Sequence, residues 1–211
     1  MSHLTSLPCR PQADAIVGLI LAGGLSSRMG SDKSQIQLHG QSLLQRVADR
    51  LNPQVDQLLV SRPWNSAPLP LPWLQLTDFQ KSLGPLGGIL RALHWLQGHP
   101  GNWLLSSSCD SPFIPTTLAS ALFEEARRHQ LDLAYVRCSG RNHYTHALWS
   151  KRVFTPLDDY LNRGKRSLHG FIDCLGDRAA AVEFLPELDP AFANINTPMD
   201  LHHWQQVTLL P

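Results

Sequence analysis

Ile16-Val17-Gly18-Leu19-Ile20-Leu21, followed by Ala22-Gly23-Gly24-Leu25-Ser26-Ser27-Arg28-Met29-Gly30-Ser31-Asp32-Lys33, is the stretch whose reading decides the fold. The first six residues are apolar at every position except the glycine, the pattern of a strand covered on both faces rather than one facing water. The loop after it carries glycines, serines and two cations. Beyond it, from Gln41 to Asn52, Leu43, Val47 and Leu51 recur every four residues with Leu44 and Ala48 beside them, which predicts an amphipathic helix. Strand, loop and helix make the first unit of an α/β fold.

The pattern continues down the chain. Gln57 to Ser61 and Trp73 to Thr77 read as strands, with Pro63, Pro68, Pro70 and Pro72 forbidding regular structure between them. Leu86, Ile89, Leu90, Leu93 and Leu96 form a buried helical stripe, and Asn102 to Ser107 a fourth strand ending in Ser108-Cys109-Asp110-Ser111-Pro112. Leu118, Leu122, Phe123 and Ala126 mark a helix that Thr116 or Thr117 would cap. Ala134 to Arg137, His146 to Trp149 and Ala181 to Leu185 read as strands, with helices near Val153 to Asn162 and Ser167 to Leu175. Thr197-Pro198 opens a last helix. Strands alternating with helices imply a mostly parallel central sheet with helices on both faces, three layers in all. Such sheets take ligands at the carboxyl ends of their strands, here the loops after Leu21, Val60, Thr77 and Ser107.

Composition narrows the function classes. The 211 residues are 43% hydrophobic and 17% charged, a globular balance. A net charge of +1 supplies no positive field for nucleic acid or an anionic membrane surface, so neither is an expected partner. The longest apolar run, Ala15 to Ala22, is far short of the ~20 residues of a membrane span. Cys9, Cys109, Cys138 and Cys174 stand far apart without a C-x-x-C pair, which suggests neither a zinc cage nor a disulfide scaffold and points to a reducing, cytoplasmic location. Residues 1–14 read as a flexible tail and 15–211 as one domain.

Glycines in the first loop let backbone amides approach a ligand closely, and Arg28 and Lys33 add positive charge, which is how a loop cradles phosphates. The spacing matches neither G-x-x-x-x-G-K-[ST] nor G-x-G-x-x-G. His143 and His146 have a spacing that places them on opposite faces of a regular strand, against a metal pair.

The loop L-A-G-G-x-S-x-R-M-G-x-D-K resembles the signature of nucleotidyltransferases that activate small molecules with nucleoside triphosphates. Further stretches are similar to the molybdenum cofactor guanylyltransferases of the MobA type. They are Arg50-Leu51-Asn52-Pro53-Gln54-Val55, Gly84-Pro85-Leu86-Gly87-Gly88, Cys109-Asp110-Ser111-Pro112, Arg141-x-His143, Gly164-Lys165-Arg166 and Phe192-Ala193-Asn194-Ile195-Asn196-Thr197-Pro198. The resemblance runs from Val17 to about Trp204. It implies a Rossmann-like nucleotidyltransferase fold whose N-terminal half binds GTP and whose C-terminal half binds molybdopterin.

By that resemblance, Leu21, Ala22, Gly23, Gly24, Ser61 and Asp78 would line the nucleotide, Lys33 would meet its phosphates, and Asp110 would hold Mg²⁺. Arg28, Lys33 and Asp110 would form the catalytic set. Arg141, Lys165, Arg166, Asn194 and Asn196 would face the pterin. A cytoplasmic monomer is expected, with molybdenum-insertion proteins or molybdoenzyme chaperones as further partners. Three departures stand out: Ser61 where the pattern has a nucleotide-contacting asparagine, Tyr144 where it has proline, and a first loop one residue shorter. The rival readings are a cytidylyltransferase acting on the same pterin, a sugar-phosphate nucleotidyltransferase, a GTP-binding accessory protein without turnover, and a pterin carrier.

Overall fold

A computed structural model of the chain describes residues 12–22, 33–79 and 83–207. In chain order the elements are β1 (Ile16–Leu21), β2 (Gln37–Leu38), β3 (Gln41–Ser42), α1 (Leu43–Leu51), β4 (Gln57–Arg62), β5 (Leu74–Thr77), α2 (Pro85–Gln97) and β6 (Trp103–Ser108). There follow α3 (Leu118–Arg128), β7 (Leu133–Cys138), β8 (Arg141–Ser150), α4 (Phe154–Asn162), α5 (Leu168–Leu175), β9 (Ala179–Phe184) and α6 (Pro198–Gln206). Seven strands form one sheet in the order β5-β4-β1-β6-β8-β7-β9. β8 runs antiparallel to both its neighbours, while the other adjacent strands pair in parallel.

The strand alternation decides which layer each residue joins. Ile16 and Ile20 of β1 pack under α1 and α3, with Leu44, Val47, Leu118 and Leu122. Val17, Leu19 and Leu21 face the other way, onto α2, α4 and α5 through Leu86, Leu93, Leu157 and Phe171. All six residues of β1 are buried, as a strand covered on both faces requires.

A third, smaller apolar cluster joins segments remote in sequence. Ile36 and Leu38 beside the β2–β3 hairpin meet Phe113, Ile195 and Trp204, and the rings of Phe113 and Trp204 lie 4.5 Å apart. This cluster brings the segment before α6 over the carboxyl edge of the sheet, beside the turn that follows the first loop.

Several local expectations shift. The helix expected from Gln41 begins at Leu43, because Gln41 and Ser42 pair with Leu38 and Gln37 and Ser42 Oγ accepts from Gln45 N–H at 3.2 Å. Thr117 precedes α3 without a side-chain capping bond. The two separate strands expected at Ala134 and His146 are a hairpin, turned by Ser139 and Gly140 at φ 48° and 74°. Of the segment expected as a tail, Gln12–Asp14 forms a 3-10 turn whose Asp14 pairs with Arg127 at 3.2 Å. Among the described residues, no helix is long and apolar enough to cross a membrane.

Candidate active site

The ends of β1, β4 and β6 are laced together. Leu21 O accepts from Cys109 N–H at 3.2 Å, and Ala22 N–H donates to Ser61 O at 3.1 Å. Gly23, Gly24 and Arg28 lie outside the described residues.

On one flank stands Asp78, just past β5. Its backbone N–H reaches Arg62 O at 3.0 Å, and its Oδ1 accepts from Ser61 Oγ at 3.3 Å. The first turn of α2 walls it in. A Cβ on Gly88 would sit 2.2 Å from Ser61 Oγ, and one on Gly87 would lie 2.6 Å from Leu83 Cβ and 3.3 Å from Asp78 Oδ2. The glycine pair is therefore what lets the helix close on the carboxylate. Burial pushes the Asp78 carboxyl up to about 6, against a smaller downward pull from the Ser61 hydroxyl.

On the other flank Asp110 follows β6. Its Oδ1 accepts from Ser108 Oγ at 2.6 Å, and Lys33 Nζ lies 3.3 Å from its Oδ2. The same ammonium donates to Asn196 Oδ1. Ile195 N–H binds Asp110 O at 2.8 Å, and Ser111 Oγ donates to Asn194 Oδ1 at 2.6 Å. Lys33, Asp110 and Asn196 thus form one bonded cluster, with Asn194 tied beside it through Ser111, although 163 residues separate Lys33 from Asn196. Asp200 anchors it from α6 by accepting from the N–H groups of Asn196 and Thr197 at 2.9 and 2.8 Å, which hold its carboxyl below the usual range.

Residues 18–179 match the family model described as the MobA-like NTP transferase domain. Over 194 residues, 90% of this chain and 95% of the relative, the sequence is 38% identical to the molybdenum cofactor guanylyltransferase of a Yersinia pseudotuberculosis strain. The chain belongs to the molybdenum cofactor guanylyltransferases. The Yersinia pestis protein of the same name is 37% identical over the same shares of both chains. Among solved structures, the molybdopterin-guanine dinucleotide biosynthesis protein A from Archaeoglobus fulgidus superposes with a TM-score of 0.72 at 20% identity, covering 90% of this chain and 97% of that one. The 2-C-methyl-D-erythritol 4-phosphate cytidylyltransferase from Thermus thermophilus gives 0.65 at 16%, covering 89% and 96%. At those identities the structures speak to the fold alone. The protein is a nucleotidyltransferase, and such enzymes generally work with a divalent metal.

For a molybdenum cofactor guanylyltransferase, the residues expected at the pterin fall into two groups. Asn194 and Asn196 join the cluster just described. Among the described residues its hydrogen bonds do not extend to Arg141, Lys165 or Arg166. Arg141 opens β8 and is exposed. Lys165 sits 5.4 Å over the Tyr160 ring, and Arg166 Nη1 donates to Leu161 O and Lys165 O at 2.6 and 2.7 Å. Tyr144, in the proline's place, packs 5.1 Å from Tyr135 and 5.6 Å from His169 between ring centroids.

The expected placing of His143 and His146 on opposite faces is overturned. β8 carries a bulge, Tyr135 pairing with Ala147 and the next residue, Val136, with His143. The extra residues break the period of two, so His143 and His146 stand together, 6.3 Å apart and both against Phe192. Among the described residues, no group of three or more His, Cys, Asp or Glu gathers to hold a metal.

Sequence reasoning missed Arg62, which is buried at the carboxyl end of β4 and donates to Ser34 Oγ at 3.3 Å, next to Lys33. A lone arginine after an apolar strand was the available signal. Asp200 was legible too, as the fourth member of T-P-x-D, the spacing of a capping box.

Proposed function

We propose that the protein transfers GMP from GTP to the terminal phosphate of molybdopterin, releasing pyrophosphate and forming molybdopterin guanine dinucleotide. The observation that carries this reading is the cluster of Lys33, Asp110 and Asn196 at the carboxyl edge, beside the walled Ser61–Asp78 pair. The N-terminal half then holds the nucleotide, and Asn194 and Asn196, with Arg141, Lys165 and Arg166, serve the pterin.

An oxygen of the pterin's phosphate attacks the α-phosphorus of GTP, and the bond from that phosphorus to the bridging oxygen of the β-phosphate breaks. The attacker needs no general base, because a phosphate monoester with a second pKa of roughly 6 is mostly ionised at neutral pH. The obstacle is to bring one polyanion against another. Cations and positioning answer it. Lys33, 18% exposed at its side chain, leans on Asp110 and Asn196 and in the complex would turn its charge to the phosphates, with Arg28 adding a second.

Mg²⁺ fits the same place. It is satisfied by one or two carboxylates completed by phosphate oxygens and water, and Asp110 supplies the carboxylate. When bound, it neutralises charge on the triphosphate. The Asp78 carboxylate would accept N–H groups of the base. A cytoplasmic location accords with Cys109, Cys138 and Cys174, which are all free thiols.

The test is product analysis. Incubation with GTP, Mg²⁺ and molybdopterin should yield a compound carrying both pterin and guanine and heavier than the pterin by one GMP unit. Its absence under conditions where both substrates bind would reject the transfer.

A further inference from the structure

A buried chain of hydrogen bonds runs from the sheet core to Asn194 at the active-site edge, and its histidine and serines play no part in the mechanism above. His146 is 1% exposed, and Ser107 and Ser111 are fully enclosed. The imidazole Nδ1 lies 3.1 Å from Ser107 Oγ and the Nε2 3.1 Å from Ser111 Oγ. Ser111 Oγ is in turn 2.6 Å from Asn194 Oδ1, while Asn194 itself is exposed.

Proton bookkeeping gives this chain a direction. An amide oxygen only accepts, so the single hydroxyl proton of Ser111 goes to Asn194. Ser111 Oγ must then accept from His146, which places the imidazole proton on Nε2. Nδ1 is left as an acceptor, and Ser107 donates to it. An imidazolium would turn Ser107 from donor to acceptor and leave the link through Ser111 to Asn194 standing. Burial, with a smaller contribution from His143, lowers the His146 pKa to about 3 and keeps the ring neutral.

The bulge of β8 is what makes the arrangement possible. β8 leaves β6 after the pair Ser106–Ala147 and resumes against β7 at His143, so His146 turns toward the carboxyl edge of β6. Of the groups around it, the His143 Nε2 has no hydrogen-bond partner among the described residues, whereas Ser106 and Trp149 are paired. Ser106 Oγ donates to Thr145 O at 2.8 Å and accepts from Trp149 Nε1 at 2.9 Å. Links paired on both sides of the ring in this way hold it in one geometry.

We propose that His146 is a positioning residue that fixes the Asn194 amide with its oxygen inward and its nitrogen outward. The strap before α6 thereby offers hydrogen-bond donors, not an acceptor, to an oxygen of the phosphate-bearing second substrate. This use of the donors rests on the transfer reading above; the direction of the chain does not. A reversed amide would set its carbonyl oxygen against an anionic oxygen, two acceptors facing each other. The ligand feature recognised is therefore a phosphate oxygen or a ring carbonyl close to Asp110 and Lys33.

Two measurements test it. On the ligand-free wild-type protein, long-range proton–nitrogen correlation of the histidine rings should show His146 as the Nε2–H tautomer from pH 5 to 8. An Nδ1–H tautomer overturns the direction whatever the enzyme's substrates are. In steady-state assays, His146→Phe keeps a ring without either nitrogen, and His146→Gln restores a donor near the Nε2 position. The Phe variant should raise KM for molybdopterin about tenfold, as loss of one hydrogen bond to a charged group does, with KM for GTP and kcat within about twofold of wild type. The Gln variant should recover most of that loss. An equal effect on both substrates, or Gln no better than Phe, would make His146 a packing residue only and overturn the proposal. Should neither variant fold, the tautomer of the wild-type ring still decides.

Discussion

Two carboxylates stand at the carboxyl edge of one sheet and are built in opposite ways. Asp78 is walled in by the glycines of α2, and Ser61 is the side chain that donates to it, at 3.3 Å. Asp110 has an ammonium at 3.3 Å and a hydroxyl at 2.6 Å, and an apolar cluster clamps a distant strap over it. Desolvation outweighs the pull of the Ser61 hydroxyl and raises the first carboxyl to about 6. The two carboxylates divide the labour: Asp78 suits the N–H groups of a neutral base, and Asp110 suits cations and the phosphates that come with them.

The largest effect should come from Asp110. One charge pair at 4 Å and an effective dielectric near 20 is worth about 4 kcal/mol, close to three decades in rate. Asp110→Ala is expected to lower kcat about a thousandfold with GTP binding far less affected. A similar kcat in the variant would place the metal elsewhere. Lys33→Ala should follow, lowering the rate by roughly ten- to a thousandfold, and near wild-type turnover would remove Lys33 from the machinery.

Asp78 sharpens the contrast through pH. The folded-state pKa of about 6 lies above the ordinary 3.8, so the fold favours the protonated acid. The group's contribution to stability is full below pH 3.8 and is lost as pH rises toward 6. Asp78→Asn should therefore raise Tm at pH 7 by about 2 °C and leave it unchanged near pH 3.5, as thermal melts at the two pH values would show. Nucleotide binding runs the other way. If the carboxylate receives the base, GTP affinity falls as pH drops below about 6, and the Asn variant binds GTP weakly at every pH. A calorimetric titration series in which wild type and variant share one flat profile would break the assignment.

A steric contact holds the Asp78 side of the contrast together. Gly88→Ala sets a methyl 2.2 Å from Ser61 Oγ, an overpacking that costs about 1–3 kcal/mol. Adding Ser61→Gly should recover part of the lost Tm, and strict additivity of the two losses would contradict the contact.

The layered fold was legible because its signals are local. The unbroken apolar run of β1 and the four-residue spacing in α1 declare their own burial. The α2 glycines were legible as a motif, but their purpose was not, since it depends on Ser61 arriving from another strand. The bulge in β8 was hidden, because His143 and His146 obey a strand period until pairing with β7 breaks it. The placing of Asn196 on Lys33 depends on Ile195 and Trp204 finding Ile36 and Leu38. No window along the chain contains that packing.

The central claim is that this edge joins a guanine nucleotide to a pterin phosphate, and pyrophosphate release tests it most directly. Purified protein with Mg²⁺ and molybdate-loaded molybdopterin would be given GTP, CTP, ATP or UTP in parallel, with pterin-free controls. Release only with GTP, and only when the pterin is present, is the predicted result. Release with CTP alone would move the chain to a cytidylyl activity on the same fold, and no release with any nucleotide would contradict the account.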